Sequence, residues 1–335
     1  MIRKQIIATS GLDLQNQQFS VEALAETAKA FSADTAVTRM SINHDSTLPP
    51  IGKILSGSLK QLANGDIALE VLIDDFVDSF VPCEGPNGES LYFAESSCDT
   101  RPFLDLQPET TSELTIMINP LNFTQNDYND VVDYLRECCD AQVETKIAKS
   151  LLPTPEIIFS FVTGYLLSTL CKQTLSKTSD KLSDAISDDL AKCYTGIKNA
   201  IKKIMQKIIS RGLIVYIFTE PNQPVELAIK ANKVDTVLKA LEALKTYDIA
   251  QKVQQFNDYT NGNLKKIQFI YDENEAKWEM GYLTTKSGQV IGTEANYKRV
   301  VQLYRSTLKS PTAGFSVGGT ATITSQEEKT FEGRS

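Results

Sequence analysis

The most restrictive feature of the sequence is the order in which strand-like and helix-like segments follow one another. Short β-type runs dominate residues 1–122, helix-like segments dominate 123–211, and strands return in 212–305. A chain of 335 residues with this mixture is typical of α+β proteins of two or three domains. We therefore predict an α+β fold with a β-rich N-terminal domain, a helical middle and a small two-layer α/β C-terminal sandwich over these ranges.

Two β-hairpins are predicted from apolar runs separated by turn residues. Ile51–Leu59 and Ile67–Ile73 flank Asn64-Gly65-Asp66, which favours a tight reversal. Lys266–Tyr271 and Trp278–Thr284 form the second pair. Trp278 alternates there with Met280 and Tyr282, and we interpret this stripe as core.

Helices are predicted where apolar residues recur at helical spacing. Ser20 can cap a helix that begins at Val21, and Asn126–Cys139 and Val234–Leu244 have one apolar face each. Residues 82–110, rich in Pro, Gly, Ser, Asp and Glu, suggest a long loop or inserted flap. The Ser/Thr/Gly-rich residues 306–335 predict a disordered tail.

Two segments of the middle region leave membrane contact open. Residues 157–170 are nearly uncharged, but they fall short of the roughly 20 residues that span a bilayer. We predict a helix buried in the core or in an oligomer, with a membrane-inserting or membrane-lying segment as the alternative. Residues 198–211 place lysines among apolar residues at helical spacing, which predicts a solvated helix face or, alternatively, a surface for lipid or an acidic partner.

Composition excludes several classes of function. The formal charge of −8 disfavours a nucleic-acid partner. The six cysteines form no Cys-x-x-Cys pattern, and a single histidine leaves no zinc-binding set. No phosphate-binding glycine motif is present, so we predict no cofactor and no metal. Reduced thiols, with a Cys83–Cys98 pair as the alternative, and a start without a signal-peptide pattern predict a cytoplasmic protein.

The one histidine lies in the most organised stretch of the chain. His44 follows the predicted strand Val37–Ile42 and precedes Asp45. Histidine is the side chain whose unperturbed pKa lies between pH 5 and 8, so His-dependent chemistry here must use His44. The alternative is a structural role, in which the His-Asp pair ends the strand through local hydrogen bonds.

The segment around this histidine resembles a known family. Ile42-Asn43-His44-Asp45 followed by Pro50-Ile51-Gly52-Lys53 is similar to the prohead maturation proteases of tailed phages, which have a herpesvirus-protease-like fold. The resemblance covers residues 1–122 and implies a catalytic His44. It also implies a serine nucleophile on a later strand, in a pattern like Glu-Leu-Ser-Ile-Val.

The matching later segment departs from that pattern. Glu113-Leu114-Thr115-Ile116-Met117 has threonine where the resemblance implies serine, and threonine is stiff at χ1. Ser112 is three residues earlier, on the opposite face of the predicted strand. The candidate catalytic residues are therefore His44, Thr115, Ser112 and Asp45.

Three functions follow from these observations. The first is a non-enzymatic binding or scaffold protein with a degenerate protease-like N-terminal domain, related to phage biology, that binds a protein partner or itself. The second is a serine/threonine-type peptidase that uses His44 with Thr115 or Ser112. The third is a membrane-acting effector that contacts lipid through 157–170 and 198–211.

Overall fold

A computed structural model shows that the chain has an α+β fold, which confirms the predicted class. The residues that the structure describes are 1–12, 18–42, 45–96, 98–104, 114–147, 155–161, 195–209, 212–221, 223–244, 248–309 and 321–323.

The described helices and strands alternate along the chain. The helices are α1 (Val21–Phe31), α2 (Gln125–Cys139), α3 (195–207), α4 (Val234–Ala243), α5 (Ile249–Tyr259) and α6 (Glu294–Lys309). The strands are β1 (Ile2–Thr9), β2 (Thr38–Met40), β3 (Gly52–Gln61), β4 (Ile67–Asp75), β5 (Val81–Glu84), β6 (Ser90–Ala94), β7 (Leu114–Ile118), β8 (Gln142–Ile147), β9 (Glu156–Phe161), β10 (Ile214–Thr219), β11 (Val225–Ala231), β12 (Leu264–Asp272), β13 (Lys277–Thr285), β14 (Val290–Thr293) and β15 (Ala321–Ile323).

The first four strands form a small antiparallel sheet in the order β1-β4-β3-β2. The predicted first hairpin is confirmed by β3 and β4, and Gly65 in its turn has φ of +91°, a conformation that favours glycine. The predicted cap is also confirmed, since the Ser20 hydroxyl accepts a hydrogen bond from the Ala23 N–H of α1. Helix α1 packs its apolar face on β3 and β4.

The remaining described strands form one mixed sheet in the order β15-β8-β7-β9-β10-β11-β12-β13-β14-β6-β5. The pairs β7–β8, β9–β10 and β11–β12 are parallel, and the other neighbours are antiparallel. Helices α2 to α5 cover one face of this sheet, called here the first face. That face holds the main apolar core, in which Phe159 stacks on Phe218 with ring centroids 5.0 Å apart.

The first face and the opposite, second face share the same strands. In β10, Ile214, Tyr216 and Phe218 belong to the main core, whereas Val215 and Ile217 join a small apolar cluster on the second face. This alternation follows from the two-residue period of a strand. The small sheet is attached beside the large one, and α6 contacts both, because it packs on β6 and β14 and inserts Val300 into the small-sheet core.

The predicted helix over 157–170 is wrong for the described part of that segment. Residues Glu156–Phe161 form β9, between β7 and β10 in the middle of the large sheet. Both faces of β9 are buried, and a short uninterrupted apolar run does not distinguish a strand of this kind from a buried helix. Residues 162–170 lie outside the described residues.

The predicted loop over 82–110 is also wrong in part, because most of β5 and all of β6 lie within it. Strand β5 is at the edge of the large sheet, where Pro82 and polar residues are tolerated. Residues 105–110 lie outside the described residues. Edge strands of this composition resemble loops in sequence.

The large sheet combines strands from before residue 122 with strands from after residue 211. β5, β6 and β7 lie in the same sheet as β10 to β14, and the predicted helical middle contributes β8 and β9 to it. The predicted divisions at 122 and 211 therefore do not coincide with the limits of the sheets. The strands predicted for the C-terminal region are confirmed, but α5 was not predicted.

The predicted disordered tail contains two described pieces of regular structure. Residues 306–309 end α6, and Ala321–Ile323 form β15. The rest of 310–335 lies outside the described residues.

Candidate functional site

The segment that carries the predicted histidine continues as a buried link between two strands of the small sheet, and it contacts the large sheet. Residues 45–51, called here the strap, link β2 to β3 and are all buried. The Asp45 carboxylate accepts hydrogen bonds from the Thr47 N–H at 3.0 Å and from its hydroxyl at 2.5 Å, which holds a tight turn. Pro49-Pro50 then stiffen the approach to β3. His44 and Asn43 lie outside the described residues, so the structure does not test a catalytic role of His44.

Asp45 is used to attach the strap to the large sheet. Its second carboxylate oxygen lies 2.8 Å from the Lys230 ammonium of β11 and 3.9 Å from the guanidinium of Arg299 in α6. Burial lowers the pKa of Lys230, and the charge of Asp45 opposes that shift. Asp45 is therefore engaged with cations of the large sheet and α6, and the structure shows it as an ionic anchor of the strap.

Ser46 connects the strap to three further strands. Its hydroxyl donates to the Glu156 carboxylate of β9, and its carbonyl oxygen accepts from the Gln268 amide at 2.9 Å and the Tyr282 hydroxyl at 3.2 Å. Burial raises the pKa of the Tyr282 phenol, which keeps this hydrogen-bond donor protonated. The strap thus lies across the second face of the large sheet.

A line of polar side chains crosses the second face from strand to strand. Strand register places each residue directly beside the next, and all of them are buried or nearly so. This polar row consists of Thr115 (β7), Ser160 (β9), Thr219 (β10), Glu226 (β11), Gln268 (β12) and Tyr282 (β13). A buried polar group is costly unless it is hydrogen-bonded, so the row needs defined partners.

The half of the polar row from Glu226 to Tyr282 is held by a compact network of ion pairs and hydrogen bonds. Glu226, with a side chain 12% exposed, lies 2.9 Å from the Lys266 ammonium and also accepts from the Gln268 amide. Arg39 of β2 donates to the Tyr282 hydroxyl at 3.3 Å. Burial opposes ionisation of Glu226, but the nearby Lys266 and Arg39 charges and the hydrogen bonds from Lys266 and Gln268 hold the pKa of its carboxyl below the ordinary value.

Two oxygen atoms of the polar row retain hydrogen-bonding capacity. Ser160 Oγ and Gln268 Oε1 are buried and have no hydrogen-bond partner in the described part of the chain. The orientation of the Gln268 amide is set because its nitrogen donates to two acceptors, Ser46 O and the Glu226 carboxylate. The amide oxygen is consequently the unsatisfied atom, and it can accept a hydrogen bond.

Thr115, the predicted nucleophile, lies inside the sheet and away from the strap. Its side chain is 0% exposed, and β8 and β9 pair with β7 on both sides. Its neighbour Ser160 is four residues along β9 from Glu156, where the strap makes contact, a distance of about 13 Å. Across the sheet, Gln268 of β12, which also contacts the strap, lies four strands from Thr115, a distance of about 19 Å. The structure therefore does not bring Thr115 and Asp45 together, and Ser112 lies outside the described residues.

Sequence reasoning missed most of the second-face residues. Glu226 and Lys230 alternate with apolar residues along β11, a pattern that could have identified a polar second face. Tyr282 was predicted to share the core face with Trp278. Trp278 does lie in the main core and donates to the Ala240 carbonyl at 2.9 Å, but an irregularity in the β12–β13 register places Tyr282 on the opposite face.

Lys53 is the lysine of the Gly-Lys pair in the motif that resembles the prohead proteases. Its side chain is fully buried and holds two segments together through hydrogen bonds. Its ammonium donates to the carbonyls of Asp99 at 2.7 Å and Arg101 at 2.8 Å, and burial lowers its pKa. Arg101 in turn pairs with the Asp99 carboxylate at 2.5 Å. These contacts fasten the segment after β6 to β3. Nearby Cys98 and its predicted alternative partner Cys83 are both free thiols.

The basic segment 198–211 contributes residues 198–207 to α3. Its apolar face is buried in the main core, including Ile201 and Ile204. Lys203 lies 2.7 Å from Asp130, and Lys207 pairs with the same helix α2. Among residues 195–209, then, the apolar face is covered and two of the cations have acidic partners within the protein.

The described residues contain neither a candidate ion site nor a helix that could span a membrane. Within the described ranges, no three His, Cys, Asp or Glu side chains form a group that could hold a metal ion. No described helix combines the length and the apolar character needed to cross a bilayer.

Comparison with protein-family models, curated proteins and solved structures gave no match. The resemblance to prohead proteases therefore stays a prediction that rests on the motifs alone.

Proposed function

We propose that this chain is a non-enzymatic binding or scaffold protein. One observation carries the proposal: the Thr115 hydroxyl, which the resemblance implies as nucleophile, is fully buried in an interior strand. A nucleophile must meet both its base and its substrate, and this hydroxyl lies more than about 10 Å from the strap.

The contacts of Asp45 support the same conclusion. In a catalytic arrangement, an aspartate beside the histidine would orient the imidazole. Asp45 instead binds Lys230 and the Thr47 turn. We therefore attribute to the His-Asp segment a structural role, in which it attaches one sheet to the other.

The test compares the wild type with Thr115→Val and His44→Ala. Valine keeps the branched shape of threonine and replaces the hydroxyl with a methyl group, so it is the matched control for a nucleophile. Each protein is incubated with and without a fluorophosphonate probe, and its intact mass is followed over days. We expect three unchanged masses.

The peptidase alternative makes the opposite prediction. A probe adduct or self-cleavage product in the wild type that is lost in Thr115→Val and in His44→Ala would overturn the proposal. An adduct that survives in Thr115→Val but is lost in His44→Ala would also overturn it and would indicate another serine, with Ser112 as the first candidate.

A further inference from the structure

One edge of the large sheet is covered by a short strand from the tail. β15 pairs antiparallel with β8 through Ala321 beside Ile147, Thr322 beside Lys146 and Ile323 beside Thr145. It occupies three of the six residues of β8. An edge strand presents backbone N–H and C=O groups that can pair with another extended segment. The structure thus shows that this edge accepts an antiparallel strand.

The sequence of the tail shows which chemistry fits this edge. Residues 320–324 read Thr-Ala-Thr-Ile-Thr, a run of mainly β-branched residues without charge or proline, preceded by Gly318-Gly319. Such residues favour extended strands. Residues 310–320 connect β15 to α6, a tether that spans up to about 40 Å when extended.

The pairing of β15 is weak enough to exchange. Fixing the backbone of three tail residues costs free energy through lost conformational entropy. This cost is of the same order as the net stabilisation from the few hydrogen bonds that a three-residue strand pairing forms. Covalent attachment raises the local concentration of β15 at the edge but does not add contacts. A segment of another protein with similar chemistry can therefore compete for the same edge.

We propose that the outer edge of β8 is a docking site for an extended, uncharged, β-branched segment of a partner protein, and that β15 occupies this site in its absence. The proposal rests on the proposed binding function and specifies its surface. Recognition is by backbone pairing at a sheet edge, with the tail acting as an internal competitor.

The test uses the full chain and a fluorescein-labelled synthetic peptide with the sequence of residues 319–326. Thr322→Pro removes a backbone N–H from β15 and disfavours its pairing. Thr330→Pro is the matched control, because it places proline in the same tail but outside β15. Fluorescence anisotropy gives the affinity for the peptide, and amide hydrogen exchange is followed over Gln142–Ile147.

The competition predicts the sizes of the effects. If β15 occupies the edge for half to nine-tenths of the time, its removal should tighten peptide binding by about two- to tenfold. We therefore expect tighter binding and faster exchange of Gln142–Ile147 in Thr322→Pro, and wild-type values in Thr330→Pro. A peptide that carries proline in place of Thr322 should bind none of the three proteins.

Three outcomes would overturn the proposal. The first is that Thr322→Pro does not bind the peptide at millimolar concentration. The second is that this variant and the wild type bind the peptide with equal affinity. The third is that amide exchange of Gln142–Ile147 is the same in Thr322→Pro as in the wild type. Wild-type dimers that disappear in Thr322→Pro would overturn the assignment of the partner, because a second copy would then supply the strand. All of these outcomes are independent of the fluorophosphonate result, so failure of this inference is distinguishable from failure of the proposed function.

Discussion

The two faces of the large sheet are built from the same strands but are stabilised in different ways. The first face is apolar and is covered by four helices, α2 to α5, whereas the second face carries the polar row and the strap. Apolar packing is non-directional, but hydrogen bonds and ion pairs form in few geometries. The first face therefore contributes non-directional apolar burial, and the second face specifies how the small sheet is attached.

The largest effect should come from a cavity in the first face. Phe159→Ala removes a fully buried ring that stacks on Phe218, and we expect a loss of about 3–5 kcal/mol in the free energy of unfolding. Urea unfolding followed by circular dichroism measures it. Leu121→Ala is the control, because its exposed side chain should change stability by less than about 0.5 kcal/mol. A similar loss in both variants would contradict the assignment of the core.

The next effect should come from Glu226, the charged residue of the polar row. Glu226→Met removes the carboxylate that pairs with the Lys266 ammonium and accepts from the Gln268 amide, which should cost about 2–4 kcal/mol. The double variant Glu226→Met/Lys266→Met removes both charges and should be at least about 1 kcal/mol more stable than the single variant. Additive losses in the double variant would show that the two side chains are not coupled.

The same carboxylate predicts a pH dependence. Since the pKa of Glu226 in the folded protein lies below its ordinary value, its ionised form stabilises the fold at pH values above the unfolded-state pKa. This contribution should disappear as pH falls through the lowered folded-state pKa. The stability difference between wild type and Glu226→Gln, measured by urea unfolding from pH 7 downward, should therefore shrink in acid. A constant difference over this range would contradict the prediction.

Loosening the strap should have a smaller and more local effect. Asp45→Asn keeps an oxygen for the Thr47 turn but leaves Lys230 without its counter-charge, so we expect a loss of about 1–2 kcal/mol. Hydrogen exchange should rise in the strap and leave the first face unchanged, because local opening does not require the core to unfold. Equal acceleration in the strap and in β10 would contradict the separation of the two faces.

The smallest effect should come from an oxygen that has no hydrogen-bond partner among the described residues. Ser160→Ala removes this buried Oγ and should change stability by less than about 0.5 kcal/mol or raise it slightly. Thr115→Val, at the neighbouring position of the polar row, is the comparison and should lose about 1 kcal/mol. A larger loss for Ser160→Ala, measured by the same unfolding experiment, would show that Ser160 Oγ is hydrogen-bonded in solution.

Much of the local structure could be predicted from patterns of a few residues. The hairpin at Gly65, the Ser20 cap and the strand around Thr115 all depend on neighbours in sequence, and the structure contains all three. The helix predicted over 157–170 failed because an apolar run carries no period when both of its faces are buried. The prediction placed Tyr282 on the wrong face because it treated the strand as regular. The β12–β13 register shifts at Gly281, and a glycine inside a strand is the sequence signal of such a bulge.

By itself, the sequence determined the α+β class, the main hairpins and the position of its one histidine. Only the tertiary structure decided that strands from residues 81 to 293 join one sheet and that Asp45 meets Lys230 across 185 positions of the chain. Alternation within a strand determines which side chains share a face, but not which distant segment covers that face. That choice depends on contacts that form only when the sheets come together, and for this reason the polar row could not be derived from local patterns.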